Sequence, residues 1–270
     1  MKASPIRCVV TAGPTREYID PVRFISNPSS GKMGYALAES AIARGWEVDL
    51  VCGPVTLPPP AAVKLHLIET AEQMRISLSQ LFPQCDLLLM AAAVSDFRPV
   101  RQLAKKEKKR EARRILDLEP TPDLLLELGR QKDDRILVGF AAETENLTEN
   151  GLRKLREKNL DWIAVNRVGV PGTGFESDTN EIILLGAHGD RHSLGPCPKS
   201  DLANELLDVL KLESRLNDRS ARAHDPAVAP WESYVGLRLE HYRAMLADGD
   251  LVRAHARPAA TLVREAHALA

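Results

Sequence analysis

Short apolar runs alternate along the chain with longer segments in which apolar residues recur at helical spacing. The apolar runs predict buried strands at 8–13, 47–53, 63–68, 86–90, 136–140 and 162–165. The helical spacing predicts helices at 32–44, 71–82 and 147–158, and a further helix with Thr121 as its N-cap and Pro122 as its first residue. Repeated strand–helix units of this length predict an α/β fold, a Rossmann-like doubly wound parallel sheet covered by helices on both faces.

The later part of the pattern departs from this repeat. Two apolar segments at 181–185 and 191–194 flank turn residues and predict a terminal hairpin, which a helix at 200–212 follows. Beyond it the chain is rich in Arg, Ala and His, with an amphipathic candidate helix at 231–247. We therefore expect a main domain over 1–214 and a C-terminal helical extension over 215–270, whose role the pattern does not indicate.

The loop before the first predicted helix is the most informative stretch. Residues 20–34 combine hydroxyl groups, glycines and cations just ahead of a helix start, and helix N-terminal amides bind anions. The stretch lacks the G-x-G-x-x-G spacing after Gly13, and Met33 stands where a P-loop has Ser or Thr. A plain helix start would share this composition. The loop length of about 18 residues, where two to six are usual, favours phosphate binding.

Composition and charge narrow the function classes. The chain has 270 residues, 44% hydrophobic and 27% charged, enough for one large core or for one core with a small appendage. A net charge of −1 gives no overall attraction to nucleic acid or to an anionic membrane. Residues 1–5 are too short and polar to begin a signal peptide, so we expect a cytoplasmic protein without a membrane span. The cysteines lack C-x-x-C spacing, which favours buried, reduced thiols.

Candidate site residues follow the predicted strand at 86–90. The small residues 91–93 would let a flat base or a substrate approach the backbone, although plain packing explains them equally well. Asp96 could hold a ribose hydroxyl or a Mg²⁺ that bridges phosphates, or it could cap a surface helix. From composition alone, the basic run at 105–114 is a solvated charged surface.

Seven segments, taken together and in this order, resemble one enzyme family. They are 11–34, AAAVSDFRP at 91–99, the Lys-rich 105–109, GFAAET at 139–144, KNLD at 158–161, Asn166 and GFESDTN at 174–180. The family is phosphopantothenate–cysteine ligase, the synthetase half of the bacterial bifunctional coenzyme A biosynthesis flavoprotein. The resemblance covers residues 6–186 and leaves out the tail beyond 214.

The resemblance implies a two-step amide synthesis. The carboxylate of 4′-phosphopantothenate attacks the α-phosphate of CTP, which releases pyrophosphate and forms an acyl-cytidylate. The amine of L-cysteine then displaces CMP. Such a site needs cations and Mg²⁺ (or Mn²⁺) for the first step and hydrogen-bond donors at the acyl oxygen for the second. It needs no flavin, and the decarboxylase of the pathway is expected on a separate polypeptide.

The resemblance also implies roles for particular residues. The family has an extended, mobile flap at the basic run, and by spacing from Asp96 its essential lysine corresponds to Lys106. Lys105 or Lys108 are the alternatives, because the run is degenerate. Asn27 is expected to donate a hydrogen bond to the acyl oxygen. The family works as a homodimer in which the flap of one subunit covers the site of the other.

Further ligand-binding residues are expected by the same resemblance. Arg23 would bind the phosphate of the pantothenate substrate, and Ala93 would lie beside that substrate. The nucleotide-binding candidates are Gly13, Ser29, Ser30, Gly31, Ala92, Asp96, Pro122, Asp123, Ile136, Phe140, Lys154 and Lys158. Thr121 stands where bacterial members usually carry Asn, which puts the nucleotide contact there in question.

Two other classes of function compete with this interpretation. A nicotinamide-linked reductase would share the doubly wound sheet, but the sequence has neither the G-x-G-x-x-G spacing nor a Tyr-x-x-x-Lys pair to support it. A regulatory protein could keep the nucleotide-binding fold without catalysis. The presence of Asn27, Asp96 and the lysine run argues against the second alternative.

Overall fold

The structure is a computed structural model that describes residues 5–108, 115–169 and 177–212. Contacts divide the chain into a unit Met1–Leu210 and a second unit Lys211–Ala270. The helix predicted at 231–247 lies outside the described residues, and the boundary expected after residue 214 stays a prediction.

Strands and helices alternate through the first unit, as the apolar pattern predicts. The strands are β1 (Arg7–Ala12), β2 (Arg16–Tyr18), β3 (Phe24–Ser26), β4 (Glu47–Cys52), β5 (Lys64–Leu67), β6 (Leu87–Met90), β7 (Phe97–Pro99), β8 (Leu118–Pro120), β9 (Ile136–Glu143), β10 (Trp162–Arg167), β11 (Thr179–Gly186) and β12 (Arg191–Pro198). The helices are α1 (Lys32–Ala43), α2 (Ala71–Leu81), α3 (Leu124–Gly129), α4 (Leu147–Glu157) and α5 (Lys199–Leu210). No helix among these is long and apolar enough to cross a membrane.

One central sheet organises the unit and confirms the predicted fold class. Its strand order is β12-β11-β10-β9-β6-β1-β4-β5. The six strands from β10 to β5 are parallel, and the terminal hairpin β11–β12 adds two antiparallel strands at one edge. The inner strands are apolar without alternation, since helices cover both faces. Val10, Leu50 and Leu88 accordingly have no exposed surface.

The order of the sheet reverses beside β1. From β1 the chain adds β4 and β5 toward one edge, and it then returns to add β6, β9 and β10 on the other side. In an open parallel sheet, ligands bind outside the carboxyl ends of the strands at such a reversal. The carboxyl ends of β1 and β6 are therefore the first place to look for a functional site.

Two short hairpins depart from the sequence expectation. Strands β2 and β3 pair within the long loop between β1 and α1, and β7 and β8 pair after β6. Each strand has three residues, too few for an alternating pattern to be recognised. We call residues 100–117, which connect β7 to β8, the flap; of these, 109–114 lie outside the described residues.

The start of α3 also corrects the expectation. The N-cap is Asp123, whose Oδ1 accepts a hydrogen bond of 3.1 Å from the amide of Leu126, and not Thr121. The hydroxyl of Thr121 instead donates to the carbonyl of Ser95 at 2.6 Å. Because that hydroxyl is used to tie two loops together, the next residue with a suitable side-chain oxygen caps the helix.

Candidate active site

Two loops are fastened together where β1 and β6 end. The amide of Ala93 donates to the carbonyl of Gly13 at 2.9 Å, and the amide of Thr15 donates back to the carbonyl of Ala93 at 3.3 Å. The buried hydroxyls of Thr11 and Thr15 accept hydrogen bonds from the amides of Ala92 and Ser95 respectively. A cavity of about 520 Å³ lies on this joined edge of the sheet.

Three glycines allow α1 to come close to β1. Gly13 and Gly31 have φ values of 74° and 78°, which L-residues rarely adopt. A Cβ on Gly34 would lie 2.6 Å from the Cβ of Ala12 and 2.8 Å from the carbonyl oxygen of Thr11. A tight turn, a close backbone approach and helix–strand packing are the uses of the three glycines in G-x-G-x-x-G. Here residues 14–30 separate the first glycine from the second, so the motif is not visible from spacing alone.

The N-terminus of α1 opens into this cavity. Its N-cap is Gly31, no side chain caps the helix, and no acidic residue lies in the first turn. The cavity is lined by Gly31, Lys32, Met33 and Gly34, together with Ser29 from the preceding loop. Uncapped amides at the positive end of a helix dipole are suited to binding an anion.

Asn27 lies on the cavity wall with its amide group already bound. Its Nδ2 donates to the carbonyl of Val94 at 2.9 Å and to that of Ala93 at 3.3 Å. The side chain therefore fastens the loop before α1 to the loop after β6. The expected hydrogen bond to an acyl oxygen remains a proposal, and in this geometry it requires Nδ2 to release one of the two carbonyls.

Two lysines, one on α4 and one at its C-terminal end, line the cavity together with their carboxylate partners or near them. Lys154 Nζ lies 2.7 Å from Glu143 Oε1, and Lys158 Nζ lies 2.8 Å from Asp123 Oδ2. Lys154 lies in the last turn of α4, and Lys158 is the C-cap residue that follows Glu157, so the shared helix face expected from their spacing is not formed. Asp123 thus both caps α3 and pairs with a cavity lysine.

The cavity is also lined by residues that sequence reasoning did not assign to the site. Lys32 Nζ pairs with Asp178 Oδ1 at 2.5 Å, and Lys199, Asn180 and Asn166 also line the cavity. Asn166 lies next to the carboxyl end of β10, which pairs in parallel with β9, so topology could have indicated it. Lys199 begins a helix after an antiparallel edge strand, and no local pattern distinguishes it from a surface lysine.

The cavity brings together most of the sequence-predicted site residues. Those that line it are Asn27, Ser29, Gly31, Ala92, Ala93, Asp96, Pro122, Asp123, Phe140, Lys154 and Lys158. Gly13 lies next to it, since a Cβ on Gly31 would be 3.4 Å from the Gly13 amide nitrogen. Ser30 is half-buried in the same loop. Among the described residues, Arg23, Lys106 and Ile136 do not line the cavity.

The position of Ile136 contradicts its expected role as a nucleotide contact. Ile136 begins β9 and pairs with Leu87, the first residue of β6. It therefore lies at the amino ends of the parallel strands, whereas the cavity lies at their carboxyl ends. Its side chain is buried and its amide donates to the carbonyl of Asp86. Of the apolar run at 136–140, only the last residue, Phe140, lines the cavity.

Arg23 contacts the flap and not the cavity. Its Nη2 donates to the carbonyl of Glu107 at 2.8 Å, and its Nη1 lies 3.3 Å from Asp20 Oδ2. Arg23 does not line the cavity, and its expected contact with the substrate phosphate stays a prediction. Lys106, next to Glu107, is exposed on the flap.

The described residues contain few groups that could bind a metal ion through protein ligands alone. No group of three or more His, Cys, Asp or Glu side chains in the described part of the chain could hold a metal ion. Cys8, Cys52 and Cys85 are buried, and burial raises the pKa of Cys85 to about 12. Asp96, exposed on the cavity wall, is a hard oxygen ligand of the kind that Mg²⁺ uses together with substrate phosphates.

Fold and site together define a doubly wound α/β protein with a lysine-lined cavity at its strand-order reversal. A scan of protein families extends this description. The family model described as DNA/pantothenate metabolism flavoprotein, C-terminal domain, matches residues 4–212. The chain belongs to this family.

Curated relatives and a solved structure agree with the family match. The coenzyme A biosynthesis bifunctional protein CoaBC of Bacillus subtilis (strain 168) is 42% identical over 214 residues, 78% of this chain and 53% of that protein. The CoaBC protein of Escherichia coli (strain K12) is 38% identical over 221 residues, 80% of this chain and 54% of that protein. The crystal structure of a CoaBC C-terminal domain matches with a TM-score of 0.67 at 40% identity, over 79% of this chain and 96% of that domain.

These matches confirm the resemblance predicted from the sequence. The same matches also limit which properties of the relatives can be assigned to this chain. The chain spans about half the length of the curated relatives, so the activities of those whole proteins are not transferred to it as findings.

Proposed function

We propose that this chain ligates 4′-phosphopantothenate to L-cysteine with CTP, through an acyl-cytidylate, as a step of coenzyme A biosynthesis. The observation that carries the proposal is the cavity itself. It joins the uncapped N-terminus of α1, Asn27, Asp96 and four lysines at the strand-order reversal. The membership of the chain in a family with CoaBC relatives supports the same reaction.

In the first step, two anions must meet. The substrate carboxylate attacks the α-phosphorus, the carboxylate oxygen becomes the bridging oxygen of the acyl-cytidylate, and pyrophosphate leaves. Cations and amides that stabilise the growing charge on the phosphates lower this barrier. The amides of the first turn of α1 and the lysines at 32, 154 and 158 line the cavity for this role.

Among the residues that line the cavity, Asp96 is a carboxylate suited to a magnesium ion. Asp96 would hold Mg²⁺ (or Mn²⁺) together with the triphosphate oxygens, and the ion would neutralise phosphate charge. The chain's own residues would hold the rest of the nucleotide. Ala92 lines the cavity, where its small side chain would let a flat base approach the backbone, and Lys158, the C-cap residue of α4, lines it too.

In the second step, the amine of cysteine attacks the acyl carbon and CMP leaves. We assign Asn27 to this step because its Nδ2 already points at carbonyl oxygens on the cavity wall, at 2.9 Å and 3.3 Å. An acyl oxygen in the place of one of these carbonyls would accept a hydrogen bond from the same Nδ2. Ala93, which has no side chain beyond Cβ, leaves room for the substrate beside it.

We further propose that the active form is a homodimer in which Lys106 serves the site of the partner subunit. Exposed apolar side chains are concentrated on the flap and on the hairpins beside it, and such patches mark interaction surfaces. They are Val22, Phe24, Phe97, Val100, Ile115, Leu116 and Leu118. Lys106 lies on this surface and outside the cavity of its own chain.

A product assay tests the proposal. The chain is incubated with 4′-phosphopantothenate, L-cysteine, Mg²⁺ and either CTP or ATP, and products are identified by mass spectrometry. We expect 4′-phosphopantothenoylcysteine, CMP and pyrophosphate in equal amounts with CTP, and no pyrophosphate when phosphopantothenate is omitted. Pyrophosphate release that is independent of phosphopantothenate, or no release at all, would contradict the proposal.

A further inference from the structure

Two buried asparagines, Asn166 and Asn180, line the cavity. They are only 9% and 8% exposed, respectively. Within the residues that the structure describes, neither carboxamide group donates or accepts a hydrogen bond. Asn27, which lines the same cavity, differs, because its Nδ2 is bound to two backbone carbonyls. Burying a carboxamide without a hydrogen-bond partner is unfavourable. We therefore expect the two groups to find their partner in a molecule that binds in the cavity.

Strand pairing places the two side chains next to each other. Asn166 of β10 is paired with Ile182 of β11, and Asn180 lies two residues before Ile182 on the same strand. Because side chains two residues apart on a strand point to the same side, all three lie on one face of the sheet. Diagonal neighbours of this kind have Cα atoms about 7–8 Å apart. A small molecule can therefore contact both carboxamides at once.

A pair of carboxamides is suited to an amino acid that must react through its neutral amine. The Nδ2 group of asparagine donates two hydrogen bonds, its Oδ1 accepts, and the group has no charge. In the proposed reaction, CTP and 4′-phosphopantothenate have assigned residues, whereas L-cysteine has none. The amine of cysteine must be unprotonated to attack the acyl carbon. A carboxylate beside it would favour the ammonium form, whereas an uncharged Oδ1 can accept an N–H of the neutral amine.

We propose that Asn166 and Asn180 form the binding site for L-cysteine. Their Oδ1 atoms accept hydrogen bonds from the amine, and their Nδ2 groups donate to the α-carboxylate. This inference rests on the proposed function. The position agrees with it, since β10 lies two strands from β6, at whose end Asn27 binds the Ala93 carbonyl. Adjacent strands are about 4.8 Å apart, so the pair lies about 10 Å from the place assigned to the acyl group. One amino acid with its hydrogen bonds can span that distance.

Steady-state kinetics with Asn166→Leu and Asn180→Leu test the inference. Leucine has a similar size and removes both the donor and the acceptor. We expect the KM for L-cysteine to rise about 10- to 100-fold, the usual loss for hydrogen bonds to a charged group. The KM values for CTP and 4′-phosphopantothenate should change less than about twofold. Exchange of labelled pyrophosphate into CTP, which needs 4′-phosphopantothenate but no cysteine, should keep its wild-type rate.

An asparagine that does not line the cavity should show the opposite pattern. The Oδ1 of Asn204 accepts hydrogen bonds from Ser40 Oγ at 2.6 Å and from Arg44 Nη1 at 3.0 Å. Asn204→Leu should therefore lower the thermal midpoint and leave the KM for cysteine unchanged. Removing the carboxamide of Asn166 or Asn180 leaves no group of the described residues without its partner. The thermal midpoints of those two leucine variants should therefore equal or exceed that of the wild type.

An aspartate at the same position provides a measurement that a structural role would not change. A carboxylate beside the amine favours the ammonium form, so Asn166→Asp should shift the pH profile of kcat/KM for cysteine upward by about one unit or more. Lys32 and Lys199 also line the cavity, and Asp178 pairs with Lys32. These charged groups are present in both proteins, so the difference from the wild-type profile reports the new carboxylate. The control is Asn146→Asp, at an exposed asparagine with a φ of 50°, which should leave the profile unchanged.

Several results would overturn the inference. They are an unchanged KM for cysteine in the leucine variants, an unshifted pH profile, and a larger loss for CTP than for cysteine, which would place the nucleotide beside the two carboxamides. Either position suffices for the test if the variant at the other does not fold. A wild-type chain that makes no 4′-phosphopantothenoylcysteine would overturn the proposed function and the inference with it. Product formation by the wild type, with a KM for cysteine that neither leucine variant changes, would overturn only the inference.

Discussion

At the scale of single residues, Asn27 connects structure and proposed chemistry most directly. Its amide joins the loop before α1 to Ala93 and Val94 at the end of β6. An aspartate there would place a carboxylate oxygen against two carbonyl oxygens and remove the donor. The same side chain therefore both shapes the cavity and supplies the hydrogen bond that we assign to the second step.

We predict that Asn27→Asp slows transfer to cysteine about 10²- to 10³-fold, the usual effect of losing one oxyanion donor, while CTP cleavage still begins. The acyl-cytidylate should then accumulate and be detected by mass spectrometry. The matched control is Asn204→Asp, because Asn204 Oδ1 only accepts hydrogen bonds, from Ser40 and Arg44. Wild-type turnover of cysteine by the Asn27 variant would remove Asn27 from this role.

Residue types predicted part of the site and missed another part for a physical reason. Asp96 follows β6, and Asn27 precedes α1. Both elements have the nearer end at the cavity, so the positions of these residues along the chain indicate the site. Lys199 and Asn180 reach the cavity from the terminal hairpin and the helix after it, through packing between distant elements. Lys32 and Lys199 are brought together by the packing of α1 on α5, which no local spacing reveals.

At the scale of elements, the contact between the flap and the loop at 19–23 depends on the carboxylate of Asp20. Asp20 has no exposed surface, its Oδ1 accepts the amides of Val22 and Arg23, and its Oδ2 accepts the amide of Glu107 at 3.3 Å. The carbonyl of Ile19 accepts the amide of Leu103 at 2.8 Å. One buried side chain thus fixes both the loop and the start of the flap.

We predict that Asp20→Asn releases the flap. The new amide nitrogen would face either the Glu107 amide or the amides of Val22 and Arg23, so a donor would oppose a donor. Hydrogen exchange of the amides in 100–108 should accelerate about tenfold or more, as expected for the loss of a hydrogen bond to a charged group. The control is Asp133→Asn, an exposed carboxylate at φ 48°, a conformation that Asn tolerates. Unchanged exchange would contradict this role of Asp20.

The same contact should depend on pH in one direction. Hydrogen bonds from the backbone, that of Val22 first, lower the pKa of Asp20. A carboxyl group whose folded pKa is lowered stabilises the fold above its unfolded pKa, about 3.9, and this contribution is lost as the pH falls through the folded value. The hydrogen-exchange rate of the flap amides in 100–108, corrected for the intrinsic exchange rate, should therefore rise only in strongly acidic solution. The Asp20→Asn variant should lack this acid dependence.

The basic run within the flap provides a second prediction at this scale. A uniformly solvated run would lose little on any single Lys→Gln change, since exposed charges are screened over about 8 Å. We expect Lys106→Gln to abolish acyl-cytidylate formation while the fold is kept, and Lys109→Gln to change the rate only modestly. Pyrophosphate release is measured for the variants at 105, 106, 108 and 109. Equal small losses at all four would refute the assignment, and one large loss elsewhere would correct the register.

The elements of the sheet were predictable where the physics is local. Buried parallel strands need continuous apolar runs, and α1 ends where Gly45 adopts a φ of 78°. The hairpins β2–β3 and β7–β8 were not predictable, because three-residue strands are stabilised by contacts with each other and not by their own pattern. The start of α3 was misplaced for a related reason, since Thr121 is held by the carbonyl of Ser95 across a sequence gap.

At the scale of the whole molecule, the exposed apolar surface around the flap predicts association. A soluble monomer rarely leaves such a set of large side chains in water. The patch includes Val100, 57% exposed on the flap, and Phe97, 50% exposed at the start of β7. A dimer through this surface would bring the flap of one subunit to the other.

We predict that Val100→Asp dissociates this dimer, because a carboxylate buried without a partner costs several kcal/mol. The dimer dissociation constant, measured by sedimentation, should rise about 100-fold or more, and ligase activity should fall with it. Leu67→Asp is the matched control, since Leu67 is 75% exposed on the edge strand β5 and is not part of the flap or its hairpins. A wild-type chain that stays monomeric at high concentration, or a Val100 variant that stays dimeric, would contradict the proposed assembly.

In the proposed reaction, the cytidylyl group of CTP is transferred to the carboxylate of 4′-phosphopantothenate, and pyrophosphate leaves. Oxygen-18 in the carboxylate of 4′-phosphopantothenate tests this most directly, because the attacking oxygen stays with the nucleotide when cysteine displaces CMP. We predict that CMP carries one labelled oxygen, the amide product carries the other, and pyrophosphate carries none. Label in inorganic phosphate, together with CDP as the nucleotide product, would show an acyl phosphate instead and contradict the account.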